Sequence, residues 1–368
     1  MNILVVGYGF YALGDHNLEG GTVIRSIISW LHERPNHTLN MDILVRSEEA
    51  QKRATKRLAT FSEKILVAIP NHLRSRIELS VVQNGSHRDS YDAAVIAVPE
   101  NSHLEVINYV SKHAKNVLIV KPVGLNASQN LEIQKLCADN NCELFIDFHK
   151  RFDEANIAFV NTISNSSCDE GTFRFSYGQK SEMPKVYFSK WARSSNPFQY
   201  LAPHYLDIIG IILDRKGYSD SPNIQLDGYV HSTTFKDLNV VSSVNAFIEI
   251  SFANQKFNIA ADCNWMEPDS MPFGSRQRIE YLDESVHYIS EQDDRGQKVF
   301  ADKISVPNPH FMTSKEFPLI DGYGKRSYSN FLDYCNGIYP KDKLCSAVQY
   351  GFTSQILDFV NRHLKNED

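Results

Sequence analysis

A glycine-rich turn directly after the first apolar segment is the clearest candidate for chemistry. The run Gly7-Tyr8-Gly9-Phe10-Tyr11-Ala12 fits the dinucleotide pattern G-x-G-x-x-G/A. Gly7 permits a tight turn, and Gly9 lets the backbone approach a pyrophosphate resting on the amides that follow. The alternative is a plain structural turn, and the insertion at residues 13–19 delays the next helix. We predict a dinucleotide site that includes Gly7, Gly9, Phe10, Tyr11 and Ala12.

Arg46-Ser47 stands at the end of the second predicted strand, where an NAD-binding chain usually places an acid for the ribose hydroxyls. An arginine can pair with the 2′-phosphate of NADP, and a serine can hydrogen-bond to it. Glu48 and Glu49 partly offset the positive charge, and the alternative is a solvated arginine at a strand end. We predict that Arg46 and Ser47 favour NADP, with NAD possible.

The segments around these residues alternate between strand and helix over about 150 residues, at the usual size of a domain. Apolar runs predict strands at residues 2–7, 41–45, 77–82, 92–99, 116–120 and 143–148. Helical spacing and capping signals predict helices at residues 20–34, 48–61, 102–113 and 128–140. This alternation predicts an N-terminal Rossmann domain, a doubly wound parallel sheet, over residues 1–149.

The second half changes to alternating, β-branched and aromatic segments. Strands are predicted at residues 172–177, 225–231, 246–252, 257–264, 278–282 and 286–290, and helices at 203–213, 327–338 and 346–364. We therefore predict that residues 150–368 form a C-terminal α+β domain on an open, mainly antiparallel sheet. The whole chain is assigned to the α/β class, with substrate binding and oligomerisation in this second domain.

Composition excludes several other classes of function. The 38 Lys and Arg residues against 44 Asp and Glu give a net charge of −6, which does not suit a nucleic-acid scaffold or a polybasic membrane binder. No apolar run has the length of a membrane helix, no leader pattern opens the chain, and we expect a cytoplasmic protein. The six cysteines form no CxxC pair, and no zinc, Walker or GxSxG pattern is present, so we predict no metal site.

Three ordered motifs resemble the glucose–fructose oxidoreductase / inositol dehydrogenase / MocA-like (Gfo/Idh/MocA) family. They are DAAVIAVPENSHLE at residues 92–105, NVLIVKPVG at 116–124 and LFIDFHKRF at 144–152. Later segments agree, namely PHYLDIIG at 203–210, NWMEP at 264–268 and the terminal block 324–364. The resemblance covers nearly the whole chain and implies a pyridine-nucleotide-dependent oxidoreductase.

The Glu-Lys-Pro motif of the family reads Val120-Lys121-Pro122 here, so a valine replaces the acid and the lysine is kept. By resemblance, Lys121 lies beside the nicotinamide and the reacting carbinol, where an ammonium can stabilise a developing alkoxide. We predict a catalytic role for Lys121, and cofactor contacts for Lys121 and Pro122. Loss of the acid can alter the orientation or the pKa of this lysine.

The second family motif, Asp-x-x-x-His, is present as Tyr200-Leu201-Ala202-Pro203-His204, with tyrosine in place of the acid. A histidine of near-neutral pKa can take the hydroxyl proton as hydride leaves the same carbon, or return it in reduction. We predict His204 as the general acid/base and Tyr200 as a proton donor or substrate ligand. The alternative for His204 is a structural role at a helix start. Asp207 follows one helical turn later.

The resemblance also implies roles for residues around these motifs. The remaining cofactor contacts are expected at Val98, Pro99, Asn101 and His103. Substrate contacts are expected at Lys121, His149, Arg151, Trp191, Arg193, Tyr200, His204, Asp207 and Trp265. The aromatic and cationic members suit a sugar ring and a phosphate, although a tryptophan in the core is an equal reading for Trp191 and Trp265.

We interpret the chain as an enzyme that moves hydride between a nicotinamide and a carbinol or ketone of a sugar or nucleotide-linked sugar. The segments at 198–200 and 264–268 resemble the branch associated with bacterial surface-polysaccharide sugars. The first alternative is a non-catalytic dinucleotide-binding sensor or scaffold, suggested by Val120 and Tyr200. The second is a reductase of the same family that acts on dihydrodiols or imines. The resemblance further implies a homodimer or homotetramer.

Overall fold

The computed structural model describes residues 1–14, 21–83, 88–187, 189, 191–271, 274–293, 296–299, 305–306, 312–313 and 319–366. Its contacts divide the chain into two compact units. The first unit comprises Met1–His149 and Phe311–Gln349, and the second comprises Lys150–His310 and Tyr350–Asp368.

Strands and helices alternate through the first half of the chain, and strands dominate the second half. The strands are β1 (Asn2–Val6), β2 (Leu39–Val45), β3 (Ile77–Gln83), β4 (Ala93–Ile96), β5 (Asn116–Val120), β6 (Glu143–Asp147), β7 (Glu170–Lys180), β8 (Ile224–Phe235), β9 (Val240–Phe252), β10 (Gln255–Glu267), β11 (Ser275–Leu282), β12 (His287–Asp293), β13 (Gly296–Val299), β14 (Ser305–Val306), β15 (Met312–Thr313) and β16 (Ile320–Asp321). The α-helices are α1 (Phe10–Leu13), α2 (Thr22–His32), α3 (Glu48–Phe61), α4 (Asn71–Arg74), α5 (His103–Val110), α6 (Ala127–Asp139), α7 (Glu154–Ser164), α8 (Pro197–Leu201), α9 (Pro203–Arg215), α10 (Tyr323–Cys335) and α11 (Gly351–Asn366).

The first unit is built on a six-stranded parallel sheet in the order β3-β2-β1-β4-β5-β6. This is the strand order of dinucleotide-binding sheets, with the reversal between β1 and β4. The central strands are buried on both faces, as the apolar run of β1 requires, and Ile3, Leu4 and Val5 are fully buried. The predicted doubly wound parallel sheet is confirmed.

The second unit contains an eight-stranded sheet in the order β14-β13-β12-β11-β7-β10-β9-β8. Every neighbouring pair is antiparallel except β7 and β10, which run parallel. Side chains alternate along β10, where Phe257, Ile259 and Cys263 are fully buried while Asn258 and Asp262 are partly exposed. One face therefore carries a core, and the predicted mainly antiparallel sheet is confirmed.

The segment Phe311–Gln349 lies in the first unit, whereas our predicted division placed all of residues 150–368 in the second domain. The reason is the packing of α10. Trp30 on α2 donates to Asp333 at 2.8 Å, and the ring of Phe331 packs edge-on against Phe145 of β6 at 5.9 Å. These partners lie far apart in the sequence, so the local pattern did not reveal them.

Several element boundaries differ from the predicted ones. Helix α3 agrees at both ends, while α10 begins four residues before the predicted start at residue 327. Helix α7 was not predicted because its sequence mixes β-branched, aromatic and polar residues. It is fixed by Asp153, whose carboxylate accepts from the amide of Ala155 at 3.0 Å, and by burial of Phe159.

Candidate functional site

The glycine turn connects β1 to α1, and its two glycines, Gly7 and Gly9, have different structural roles. Gly7 has a φ of +114°, and a Cβ at this position would lie 2.4 Å from the carbonyl oxygen of Ala97. Gly9 has a φ of −72°, and a Cβ there would meet nothing within 4 Å. Gly7 is thus required by backbone geometry, while Gly9 leaves open space beside the chain, as the approach of a pyrophosphate requires.

The turn continues at once into α1, a helix of only four residues, with Ala12 buried and Phe10 and Tyr11 half-buried. The amide of Gly21 then donates to the carbonyl of Phe10 at 2.9 Å, and α2 begins at Thr22. Most of the predicted insertion, residues 15–19, lies outside the described residues. The helix predicted from residue 20 is observed from Thr22.

Arg57 on α3 also reaches the glycine turn, a contact that was not predicted from the sequence. Its Nη1 atom donates to the carbonyl of Tyr8 at 2.9 Å, and the guanidinium lies 5.8 Å from the centre of the Tyr8 ring. The only signal for this contact is an arginine on the exposed face of a helix, which is too common a feature to identify it.

Arg46 and Ser47 follow β2, as predicted. The guanidinium of Arg46 is exposed and pairs with the carboxylate of Glu105 at 3.1 Å. The hydroxyl oxygen of Ser47 caps α3 by accepting from the amide of Ala50 at 3.2 Å. Both side chains stand at the edge of the sheet where an adenosine ribose would be held in this fold, and an exposed ion pair of this kind is easily exchanged for another anion.

His103 joins the two loops that follow β4 and β5. The side chain is fully buried, with Nδ1 2.8 Å from the carbonyl oxygen of Val123 and Nε2 2.9 Å from that of Val98. Burial lowers the pKa of His103, and its contacts with the two carbonyls oppose that effect in part. Both ring nitrogens thus face backbone carbonyls, and the predicted cofactor contact of His103 stays a prediction.

The loop that His103 holds contains Lys121 and Pro122, joined by a cis peptide bond. Lys121 is half-buried and Pro122 is buried, while Pro99 and Asn101, beyond β4, are exposed. The structure thus brings the predicted cofactor residues Val98, His103, Lys121 and Pro122 together in one pair of loops beside the strand reversal.

Asp147, at the end of β6, is a residue that was not predicted from the sequence. It is 2% exposed, and its carboxylate accepts hydroxyl groups from Tyr11 at 3.0 Å, Ser327 at 2.6 Å and Tyr328 at 2.8 Å. Burial raises the pKa of this carboxyl, but His149 and the hydroxyls outweigh burial and lower it to about 2. Asp147 is therefore ionised across the physiological range, and the available signal was only an acid at the end of a buried strand.

His149 lies beside this carboxylate in the first unit. Its Nδ1 atom is 3.8 Å from Oδ1 of Asp147, and its ring stacks on Tyr323 with 5.7 Å between ring centres. The side chain is 8% exposed. His149 thus belongs to a buried cluster with Asp147, and its predicted contact with substrate stays a prediction.

In the second unit, Arg151 and Asp207 form a bidentate ion pair. Nε and Nη2 of Arg151 donate to the two carboxylate oxygens of Asp207 at 2.7 and 2.6 Å, with the Asp207 side chain 2% exposed. His204 is buried in the first turn of α9, three residues before Asp207. The two predicted substrate residues Arg151 and Asp207 therefore bind each other, beside the predicted acid/base His204.

Tyr200 in the second unit packs against two tryptophan rings. The ring of Tyr200 on α8 is 5.4 Å from Trp191 and 6.2 Å from Trp265 of β10. Trp265 is fully buried, and among the described residues no acceptor lies within hydrogen-bonding distance of its Nε1. Arg193, a further predicted substrate residue, is exposed, and its Nε donates to the backbone carbonyl of Leu238 at 3.2 Å.

Lys150 is a buried cation of the second unit and lies in the sequence between the predicted substrate residues His149 and Arg151. Its Nζ donates to Oε1 of Gln292 at 2.8 Å and lies 5.2 Å from the centre of the Tyr205 ring. Burial lowers the pKa of Lys150 to about 8, opposed by the charge of Asp153.

Within the described ranges, no group of three or more His, Cys, Asp or Glu side chains is arranged to hold a metal ion, and no helix is long and apolar enough to cross a membrane.

The first domain has relatives in sequence. Residues 1–148 match the sequence profile of the Gfo/Idh/MocA family, an oxidoreductase family with an NAD-binding Rossmann fold. A curated relative, inositol 2-dehydrogenase of Rhizobium meliloti (strain 1021), is 25% identical over 128 residues, which are 35% of this chain and 38% of the relative. The matched part is thus well under half of that relative.

Solved structures resemble the whole chain at low identity. Scyllo-inositol dehydrogenase from Lactobacillus casei, with bound NAD(H) and scyllo-inositol, is 13% identical with a TM-score of 0.63, covering 100% of this chain and 98% of that one. The WlbA dehydrogenase from Bordetella pertussis, in complex with NADH and UDP-GlcNAcA, is also 13% identical with a TM-score of 0.63, covering 100% and 96%. At this identity the likeness shows the fold. The resemblance to the Gfo/Idh/MocA family noted in the sequence is matched by the profile of this family of oxidoreductases with an NAD-binding Rossmann fold over residues 1–148 of the chain.

Proposed function

We propose that the protein is an NAD(P)-dependent dehydrogenase or reductase that transfers hydride between nicotinamide and a carbinol or ketone of a sugar or nucleotide-linked sugar. The observation that carries the proposal is the glycine turn on the six-stranded sheet. The open space at Gly9 is what a pyrophosphate would fill, and Gly7 holds the turn against Ala97. The residues present therefore fit a dinucleotide.

The nicotinamide supplies the hydride acceptor or donor when the dinucleotide is bound. The role of Lys121, carried over from the family motif, is to stabilise the oxygen of the reacting carbinol as negative charge develops on it. The role of His204 is to hold the hydroxyl proton and to return it in the reverse direction. Tyr200, in place of the family acid, offers a phenol to the substrate.

For the cofactor we propose a preference for NADP, with NAD as the alternative. The support is Arg46, whose exposed guanidinium already pairs with an anion, the carboxylate of Glu105. Parallel titrations with NADPH and NADH, followed by quenching of tryptophan emission, test this preference. We expect Arg46→Ala to weaken NADPH at least tenfold, about 1.4 kcal/mol, while NADH is unchanged. Tighter binding of NADH by the unaltered protein would refute the preference.

For the substrate we propose a sugar or nucleotide-sugar, in the biosynthesis of surface-polysaccharide sugars. The half-buried rings of Trp191 and Tyr200 suit stacking on a ring, and the indole N–H of Trp265, which packs against Tyr200, suits a sugar oxygen. A structural neighbour of the same fold was solved with a nucleotide-sugar. Because aromatic rings also stack on other cyclic substrates, a test of this proposal must include further substrate classes.

The assay follows reduced nicotinamide at 340 nm with a panel of nucleotide-sugars, free sugars, inositols, dihydrodiols and imines. We expect turnover with a member of the first three classes and a loss of roughly 100-fold or more in kcat for Lys121→Ala. Lys135→Ala, an exposed lysine on α6, is the matched control. Turnover confined to diols or imines would favour the non-sugar reductase. Coenzyme binding with no turnover, unchanged by Lys121→Ala, would favour the non-catalytic sensor suggested by Val120 and Tyr200.

We also propose a homodimer or homotetramer formed through the outer face of the second-unit sheet. Tyr229 is 66% exposed, and its ring stacks on Phe247 on that face with 5.6 Å between the ring centres. An aromatic pair open to water gains by being covered. Light scattering after gel filtration tests this, with Tyr229→Lys expected to shift the mass toward the monomer. A monomeric unaltered protein would overturn the assembly.

A further inference from the structure

Helix α1 carries part of the glycine turn but is too short to hold itself in place. A helix of four residues has very few internal hydrogen bonds, and isolated short helices are unstable in water. Two such bonds are visible here, from the amides of Leu13 and Gly14 to the carbonyls of Gly9 and Phe10. The conformation of the turn must therefore depend on contacts made from outside it.

Arg57 contacts the carbonyl of Tyr8 from α3, and Tyr11 makes a second side-chain contact, which leads inward from the turn. Its hydroxyl donates to Oδ2 of Asp147 at 3.0 Å. Asp147 is a rigid anchor because it lies at the end of β6, is nearly inaccessible, and also accepts from Ser327 and Tyr328 on α10. The bond thus ties the turn to the last strand of the sheet and to a helix from the far end of the chain.

Both residues of the Tyr11–Asp147 hydrogen bond are of a type that suits holding the turn in place. An ionised carboxylate is a stronger acceptor than a neutral group, and its bonds with hydroxyl donors are short. A phenol at position 11 is long enough to reach Asp147 while its backbone stays in the turn. Neither residue is specified by the dinucleotide pattern, which leaves position 11 open.

We propose that Tyr11 and Asp147 are positioning residues for the dinucleotide: they hold the glycine turn in the conformation whose backbone receives the pyrophosphate. The inference rests on the proposed function, in that the turn binds NAD(P). Without this hydrogen bond, the turn spends a smaller fraction of the time in the conformation that binds the pyrophosphate. The apparent affinity for the dinucleotide falls in proportion to that fraction.

The test compares Tyr11→Phe with Ser327→Ala. Both variants remove one hydroxyl from the same carboxylate, but Ser327 donates to the other oxygen from α10. The dissociation constants of NADPH and NADH are measured by fluorescence, and KM for the coenzyme and kcat are measured with the best substrate of the panel. We expect Tyr11→Phe to raise the coenzyme dissociation constant and the coenzyme KM about tenfold, while kcat at saturating coenzyme is nearly unchanged. Ser327→Ala is expected to change the dissociation constant and KM less than threefold.

A second measurement does not depend on binding or on the yield of folded variant. Hydrogen exchange of the peptide covering residues 7–14, without coenzyme, is expected to accelerate in Tyr11→Phe and not in Ser327→Ala. Equal coenzyme affinity in Tyr11→Phe and the unaltered protein, or equal weakening in both variants, would overturn the positioning role while leaving the proposed function intact. Failure of the unaltered protein to bind either coenzyme would overturn the proposed function itself.

Discussion

The buried Lys150 makes the stability of the second unit depend on pH in the alkaline range. The side chain is 1% exposed, and burial lowers its pKa to about 8. In the unfolded chain the same group titrates near the ordinary lysine value of about 10.4. Between these two values, the folded protein has released a proton that the unfolded chain still holds.

The sign of the effect follows from this difference in bound protons. Below pH 8 the lysine is protonated in both states, so its unfavourable burial is present in full and the free energy of unfolding does not vary with pH through this group. Above pH 8 the unfolded state binds more protons than the folded state, so stability rises as pH rises. From pH 7 to pH 10 the difference of about two pKa units contributes about 2 kcal/mol of added stability.

The substitution Lys150→Met keeps the approximate length of the side chain and removes its titratable amine. Urea unfolding at pH 7 and pH 10, followed by circular dichroism, gives the free energy of unfolding of each protein. We expect the unaltered protein to gain about 2 kcal/mol relative to the variant between the two pH values. The lost hydrogen bond to Gln292 cancels in this comparison, since that amide carries the same charge at both pH values.

Lys343→Met, at an exposed lysine, is the matched control and should show the pH dependence of the unaltered protein. If Lys150→Met and the unaltered protein changed in parallel between pH 7 and pH 10, the buried lysine would not release its proton in this range, and the reasoning from burial would be refuted.

The two glycines of the turn should separate stability from coenzyme affinity. Gly7→Ala is expected to cost at least about 1–3 kcal/mol in the free energy of unfolding, because of its positive φ and the contact with Ala97. Gly9→Ala should change stability by less than about 1 kcal/mol and still weaken coenzyme binding in a fluorescence titration, and equal thermal midpoints for both variants would contradict this. Asp207→Asn should lower stability by about 3–5 kcal/mol by leaving the Arg151 guanidinium without its anion, and an unchanged thermal midpoint would show that the pair is not stabilising.

The first domain was predictable because its signals are local. The apolar run at residues 117–120, preceded by Asn116, specifies a strand buried on both faces, and β5 has the predicted bounds Asn116–Val120. The cap at Ser47 specifies the start of α3, and its hydroxyl oxygen accepts the amide of Ala50 as expected. The order of the strands then follows from the alternation of strand and helix, which leaves few topologies open.

The same local reading failed where a helix is held by distant partners. Nothing near α10 in the sequence indicates that Asp333 accepts from Trp30 and Arg34, yet these contacts assign the segment to the first unit. Residue type alone also gave an incomplete account of His103. The resemblance places it near a cofactor, but the structure uses both of its nitrogens on backbone carbonyls.

The candidate site shows why spacing identifies side chains more readily than their partners. Asp207 was placed beside His204 by helical spacing, which only requires that both lie on α9. Its actual partner, Arg151, comes from 56 positions earlier, and the bidentate pair engages both of its carboxylate oxygens. A substrate contact by either residue must therefore use the remaining guanidinium N–H groups or compete with a buried ion pair. Because breaking such a pair is costly, the former is the route that the geometry favours.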